Sequence, residues 1–187
     1  MDVGGIPAVS RGEGRRRLLS MTATHHLHHD SPLGPLLLIA DDEERLRGVY
    51  LPAHDPPPVM PSGPRRGGGV IDDAAAQLDE YFAGTLTTFD LPLATAGPPL
   101  HKRVWARLRA VRYGATTTYG QIAAELGLPP RGARAVGTAN ARNPLAIIVP
   151  CHRVVGSSGA LTGYAGGLEA KRWLLAHEAR VAGHTLV

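Results

Sequence analysis

Residues Thr118–Arg142 read TYGQIAAELGLPPRGARAVGTANAR, a pattern of two short helices and the turn between them. Thr118 and Gln121 have the Thr-x-x-Gln spacing of a capping box. The threonine oxygen takes an amide hydrogen three residues on, and the glutamine side chain returns the bond. The helix so opened is expected to run through Leu126, with Gly127 supplying the left-handed residue that ends it. Pro129-Pro130 forces a break, and a second helix is expected from Arg131 to about Asn140. Two helices joined this tightly suggest a helix-turn-helix, although any small helical domain contains such pairs.

Charge gives the pair a context. Residues 101–187 carry 12 Lys and Arg against 3 Asp and Glu, a net of +9, whereas residues 1–100 carry 8 against 13, a net of −5. The modest overall charge of +4 hides this division. A basic surplus confined to one half is the electrostatic footprint of a polyanion's partner, and nucleic acid is the usual polyanion. Gly97-Pro98-Pro99 lies where the sign changes and reads as a linker, so the second domain is taken as residues 100–187. Its first helix carries Leu100, Val104, Leu108 and Val111 at helical spacing, with Gly114 as the stop. Beyond the helix pair come Asn143-Pro144, the apolar run Leu145–Val149, the sequence Pro150-Cys151-His152-Arg153, a strand and turn over Val154–Gly159, and a last helix over Leu168–Arg180.

Residues 21–96 read as a small α/β domain. Ser31-Pro32-Leu33-Gly34-Pro35 makes a hairpin turn before the strand Leu36–Ala40, and a second short strand lies near Gly48–Leu51. Residues 53–69, with Pro56-Pro57-Pro58 and Gly67-Gly68-Gly69, read as a mobile loop, and Ile71–Ala83 as a helix with Ala75, Leu78 and Phe82 on one face. Residues 1–20, rich in Gly and Arg, read as a disordered tail, which leaves Met21 as a possible start. No run of 18 apolar residues exists, so a soluble, cytoplasmic protein is expected, without a membrane partner. His25-His26-Leu27-His28-His29 places at most two adjacent histidines on each face of a strand, and no cysteine joins them. No metal and no cofactor are therefore expected. Trp105 and Trp173 are expected to pack in the helical core.

Cys151 is the one cysteine, which excludes an intramolecular disulfide. A lone cysteine is usually inert core, and a free thiol with a pKa of about 8.5 is barely ionised at neutral pH, so a nucleophilic role needs help. His152 and Arg153 flank it, both able to favour a thiolate if they point toward it. Side chains adjacent on a strand face opposite ways, so a turn or a bridging water must bring His152 into play. A histidine base also needs a group to fix its tautomer. The second half offers Glu125, Glu169 and Glu178, of which Glu178, late on the last helix, is the best placed.

Pro150-Cys151-His152-Arg153-Val154 resembles the active-site signature of the O6-alkylguanine-DNA alkyltransferases, the methylated-DNA-protein-cysteine methyltransferases. The resemblance extends through Thr118–Ala123, Ala133–Gly137, Asn143-Pro144, Gly163–Gly167 and Trp173–Glu178. It covers residues 100–180 strongly, and the first half in outline through Asp30–Pro35. It implies an α+β chain with a ribonuclease H-like N-terminal α/β domain and a mostly helical winged helix-turn-helix C-terminal domain. It also implies a single-use methyltransferase that moves an alkyl group from O6-alkylguanine, or O4-alkylthymine, in DNA to its own cysteine. On that resemblance Cys151 is the nucleophile, His152 the base acting through a water, Glu178 the group orienting it, and Asn143 the brace between recognition helix and active site. Tyr164 would approach the flipped guanine and protonate its ring, and backbone groups near Val154 and Ala165 would read the guanine edge.

DNA handling carries over in the same way. A lesion stacked in a duplex has to be rotated out to reach a buried thiolate. The resemblance implies minor-groove entry by the second helix of a monomer, with Arg134 filling the vacated stack, as wedge side chains do elsewhere. Tyr119 would crowd a phosphate, and Ala133, Ala135, Gly137 and Ala139 would let the helix come close. Position 165 is alanine where some relatives have serine, which leaves only a backbone amide there and bears on tolerance of bulky alkyl groups. Three alternatives stay open: a non-catalytic lesion-binding protein, which would lack the reactive cysteine; a helix-turn-helix regulator, which would read undamaged DNA; and a thiol hydrolase, which would cleave esters or peptides.

Overall fold

β1 (Thr24–His29), β2 (Leu36–Asp41) and β3 (Leu46–Tyr50) form an antiparallel sheet in that order in the computed structural model, which describes residues 24–61 and 63–183. The turn between β1 and β2 closes on Ser31, whose hydroxyl donates to the Gly34 carbonyl at 2.6 Å and accepts from the Leu33 amide at 3.1 Å. Gly34 sits at φ 89°, which glycine adopts at no steric cost. β3 begins two residues earlier than the sequence suggests, because Leu46 pairs across β2 with Ala40 after a register irregularity.

Helix α1 (Val70–Ala83) covers β2. Its buried positions are Val70, Ile71, Ala74, Leu78 and Tyr81, so the core face is turned by about one residue from the expected Ala75–Leu78–Phe82 line. Ala75 and Phe82 pack at the flank. The physical reason is Tyr81: its hydroxyl finds a partner in the other half of the molecule, so a ring with a polar tip can be fully buried there. The described residues of the segment 53–69 contain no helix or named strand, as expected. The segment is nevertheless tied near both ends, by the Asp55 amide to the Ala165 carbonyl at 2.8 Å and by Pro64 and Arg66 to the backbone of His26.

The C-terminal half consists of α2 (Pro99–Arg109), β4 (Thr117–Thr118), α3 (Tyr119–Glu125), α4 (Gly132–Ala141), a 3-10 turn (Cys151–Arg153), β5 (Val154–Val155) and α5 (Leu168–Val181). The capping box forms in full: Thr118 Oγ1 accepts from the Gln121 amide at 3.1 Å, and Gln121 Oε1 accepts from the Thr118 amide at 2.8 Å. Gly127 ends that turn at φ 65°. Trp105 is buried and donates its indole N–H to the Ala139 carbonyl at 2.8 Å, which ties α2 to α4. Trp173 lies at the margin instead, half-buried and stacked on His177. β4 and β5 pair in parallel, Thr117 with Val154 and Thr118 with Val155, which sets the start of the helix pair beside the cysteine turn.

Leu145–Val149 is wholly buried but is folded into turns, so the chain reaches Cys151 through a 3-10 turn and not along a strand. Two backbone bonds from β3 hold it: the Val49 amide to the Pro144 carbonyl at 2.8 Å, and the Ala146 amide to the Val49 carbonyl at 3.1 Å. Ile147 takes φ 71°, a conformation costing a β-branched residue on the order of 1–3 kcal/mol, and it is fixed there by near-complete burial. One apolar core runs through both halves. No helix among the described residues is long and apolar enough to cross a membrane.

Candidate active site

The loop after α4 presents Asn143 to the cysteine turn. Its Nδ2 donates to the Val149 carbonyl at 2.8 Å and to Cys151 Sγ at 3.1 Å, while its Oδ1 accepts from the Leu145 amide at 3.1 Å. One buried side chain thus closes the apolar loop and holds the sulfur. Cys151 is only 4% exposed, and burial pushes its thiol up to about 11, against the opposing effects of the Asn143 bond and the positive charge of Lys171. The free protein therefore keeps this sulfur protonated at neutral pH.

A 3-10 turn has three residues per turn, so neighbouring side chains diverge by about 120°. His152 accordingly leaves the sulfur's side, and the long Arg153 side chain reaches round so that both meet Glu178 of α5. His152 Nε2 donates to Glu178 Oε1 at 2.7 Å, and Arg153 donates through Nε to Oε2 at 2.9 Å and through Nη2 to Oε1 at 3.0 Å. Tyr81 Oη–H adds a bond to Oε1 at 2.8 Å, and the Gly114 amide one to Oε2 at 3.1 Å. Burial alone would raise the Glu178 carboxyl, but the bonds and charges of His152 and Arg153 outweigh it and hold the group well below the usual carboxylate range. Burial lowers the imidazole of His152 despite the pull of Glu178. With Nε2–H given to the carboxylate, the acceptor nitrogen is Nδ1, which is buried and has no protein partner among the described residues. Arg153 points to the carboxylate, so the condition under which it would favour a thiolate is not met.

Above this layer a cavity of about 560 Å³, within the usual range for ligand pockets, is lined by Tyr119, Ala133, Arg134, Gly137, Tyr164 and Ala165, with Asp55 at its edge. Arg134 is exposed on α4, and Tyr119 opens α3 with its hydroxyl on the Thr162 carbonyl at 3.3 Å. The Tyr164 hydroxyl is buried without a protein partner among the described residues, and burial lifts its pKa well above the usual phenol value, so it keeps its proton. Cys151 does not itself line the cavity, but a charge on its sulfur would act on Tyr119 and Tyr164, which do. Val154 stands apart: it is fully buried behind the turn, does not line the cavity, and gives its carbonyl to Lys171.

Residues 99–180 match the family profile described as 6-O-methylguanine DNA methyltransferase, DNA binding domain, and residues 25–95 match the ribonuclease-like domain of the same family. A methylated-DNA–protein-cysteine methyltransferase of Methanosarcina acetivorans is 48% identical over 146 residues, covering 78% of this chain and 92% of that relative. The chain belongs to the 6-O-methylguanine DNA methyltransferase family. A Shigella flexneri methylated-DNA–protein-cysteine methyltransferase is 45% identical over 161 residues, covering 79% and 91%. The crystal structure of Mycobacterium tuberculosis OGT in complex with DNA superposes with a TM-score of 0.77 at 44% identity, over 84% of this chain and 94% of that one.

In this methyltransferase-family chain three side chains at the site escaped the sequence reading as partners. Arg153 and Tyr81 meet Glu178 across 25 and 97 residues. Lys171 is fully buried, donating to the Val154 carbonyl at 2.6 Å and the Thr162 carbonyl at 2.7 Å, and burial lowers its amine to about 8. Only Lys171 left a local signal, a cation three residues before Leu174 on the buried face of the last helix. The other two carboxylates are placed elsewhere, Glu125 against Arg107 and Glu169 against Arg172. Of the histidines of β1, His26 and His28 meet edge to face at 6.4 Å and His29 pairs with Asp79, and the described residues hold no group of three or more His, Cys, Asp or Glu side chains placed for a metal ion.

Proposed function

We propose that the protein repairs DNA by direct reversal, moving the alkyl group of O6-alkylguanine to Cys151 in a single irreversible step. The observation that carries this reading is a sulfur held by Asn143, next in the chain to the His152–Glu178 pair and near enough to act on Tyr119 and Tyr164, which line a cavity together with Arg134. The monomer enters the minor groove with α4, Arg134 takes the place of the rotated nucleotide, and Tyr119 turns the phosphate. Small residues on α4, Ala133 and Gly137, permit the close approach. The base enters the cavity, where the Ala165 amide reads its edge.

Cys151 S–H gives its proton through a water to Nδ1 of neutral His152, and Glu178 stabilises the imidazolium formed. The sulfur attacks the alkyl carbon, the C–O6 bond breaks with its electron pair going to the oxygen, and Tyr164 supplies a proton to the purine. Tyr164 recovers that proton from the solvent pool, which His152 replenishes, so the net change is a thioether and a normal guanine. Proton removal is needed because the buried thiol is un-ionised at neutral pH. No group of the site can hydrolyse a thioether, so each molecule acts once.

Titrating the protein with a duplex containing O6-methylguanine tests the reading. Repair is expected to stop at one lesion per protein and to vanish in Cys151→Ser. Many lesions repaired per protein, or tight lesion binding with no repair, would overturn it, the second outcome favouring a non-catalytic lesion-binding protein.

A further inference from the structure

We infer that Tyr81, on the helix of the N-terminal domain, is a positioning residue for the alkyl transfer: its hydroxyl, donated to Glu178 Oε1, restrains that carboxylate so that His152 remains a neutral base. Three donors share this one oxygen: His152 Nε2 at 2.7 Å, Tyr81 Oη at 2.8 Å and Arg153 Nη2 at 3.0 Å. Tyr81 is the one that comes from the other half of the chain, 97 residues away, and it is fully buried. Its ring is held by the His177 side chain, whose Nε2 donates to the Tyr81 carbonyl at 2.8 Å, and by edge contacts with Phe82 and Tyr113. Nothing about that packing requires a hydroxyl, since phenylalanine would fill the same space. What the hydroxyl adds is a bond to the carboxylate.

The consequence follows from charge. A donor on Oε1 spreads part of the carboxylate's negative charge and weakens its pull on the imidazole sharing the oxygen. Burial keeps the tyrosine protonated, so it acts as donor throughout the working pH range. The other charged and titratable groups facing the pair are Arg153 from the cysteine turn, Lys171, His177 and Arg180 from α5, Tyr113 from the loop after α2, Tyr164 from the loop before α5, and Cys151. Arg153 and Lys171 also disfavour a charged imidazole, so Tyr81 acts in the same direction as the local cations without adding a charge. The N-terminal domain thereby takes part in the chemistry through a single oxygen.

The inference rests on the alkyl-transfer reading, and the test separates the two. Single-turnover transfer from an O6-methylguanine duplex is measured against pH for wild type, for Tyr81→Phe and for protein carrying 3-fluorotyrosine at position 81, with affinity for an unmodified duplex and thermal stability alongside. In Tyr81→Phe the acid limb moves up by about one pH unit while duplex affinity is unchanged. In the fluorinated protein, a stronger donor of the same shape, the limb moves down. Limbs that superimpose in both proteins, with or without a loss of stability, would reduce Tyr81 to a packing residue and overturn the inference while leaving the reading intact. A fluorinated protein whose limb stays in place overturns it even if Tyr81→Phe does not fold. Absence of transfer by wild type would overturn the reading itself, and the inference with it.

Discussion

Cys151 and Glu178 have opposite problems, and the neighbours of each say how it is solved. The thiol is neutral in the fold: burial raises its pKa to about 11. The stability gained by keeping it buried and protonated is fully present below its ordinary value and is lost as pH rises through about 11. In DNA-free protein, iodoacetamide should therefore modify Cys151 slowly at neutral pH and faster toward pH 11. A rate at neutral pH above that of a free thiol would show an activated thiolate in the resting protein instead. The carboxylate is charged in the fold, its pKa depressed, so its contribution is present above the ordinary 4.5 and disappears as pH falls below it. Glu178→Gln leaves Arg153 buried without its counter-charge and should cost about 3–5 kcal/mol in chemical denaturation, with the acid-induced loss between pH 4.5 and lower values flattened. A loss below about 1 kcal/mol would mean that Arg153 finds another partner. Neither solution is visible from the tetrapeptide Pro150-Cys151-His152-Arg153 alone, because the direction in which Arg153 points is set by partners, Glu178 and Val111, that lie 25 and 42 residues away.

At the scale of elements, the helix pair was the most legible part because its signals are local. Thr118, Gln121 and Gly127 carry the capping box and the left-handed stop within ten residues, and both form. The run Leu145–Val149 was legible as buried but not in shape, since its turns depend on Val49 and Asn143 from elsewhere and put Ile147 at a positive φ. The face of α1 was misjudged by one position because Tyr81 has the composition of a boundary residue until Glu178 is known to meet it. Helix α4 offers a sharper check through its two glycines. A methyl at Gly137 would meet only the Tyr119 ring at 3.9 Å, whereas one at Gly132 would come within 2.5 Å of Leu128 Cβ and 3.3 Å of Ala123 Cβ. Gly137→Ala should raise stability by about 0.5–1 kcal/mol while weakening DNA binding, because the added methyl stands on the face proposed to meet the groove. Gly132→Ala should lower stability. Thermal melts together with duplex binding decide it, and equal DNA affinity for Gly137→Ala and wild type would take α4 off the interface.

For the whole molecule, the sequence divides charge between the halves, but the structure does not divide function along the same line. The basic half holds the sulfur and the cavity, yet β3 pins the loop leading to Cys151 through Val49, α1 reaches Glu178 through Tyr81, and Asp55 meets the backbone of Ala165. These contacts could not be read from the sequence because each joins segments without a shared motif. They predict that residues 97–187 expressed alone, with Leu145–Val149 uncovered, will not show a cooperative thermal transition. A sharp transition near that of the full chain would show that the N-terminal half is dispensable for the fold. The central claim concerns one atom, the sulfur of Cys151, and the direct measurement is the mass of the peptide containing it after incubation with a duplex bearing O6-methylguanine. The predicted result is the increment of one methyl transfer on Cys151 and no other residue, with as many modified molecules as lesions lost. Lesions lost while that peptide keeps its original mass would contradict the account.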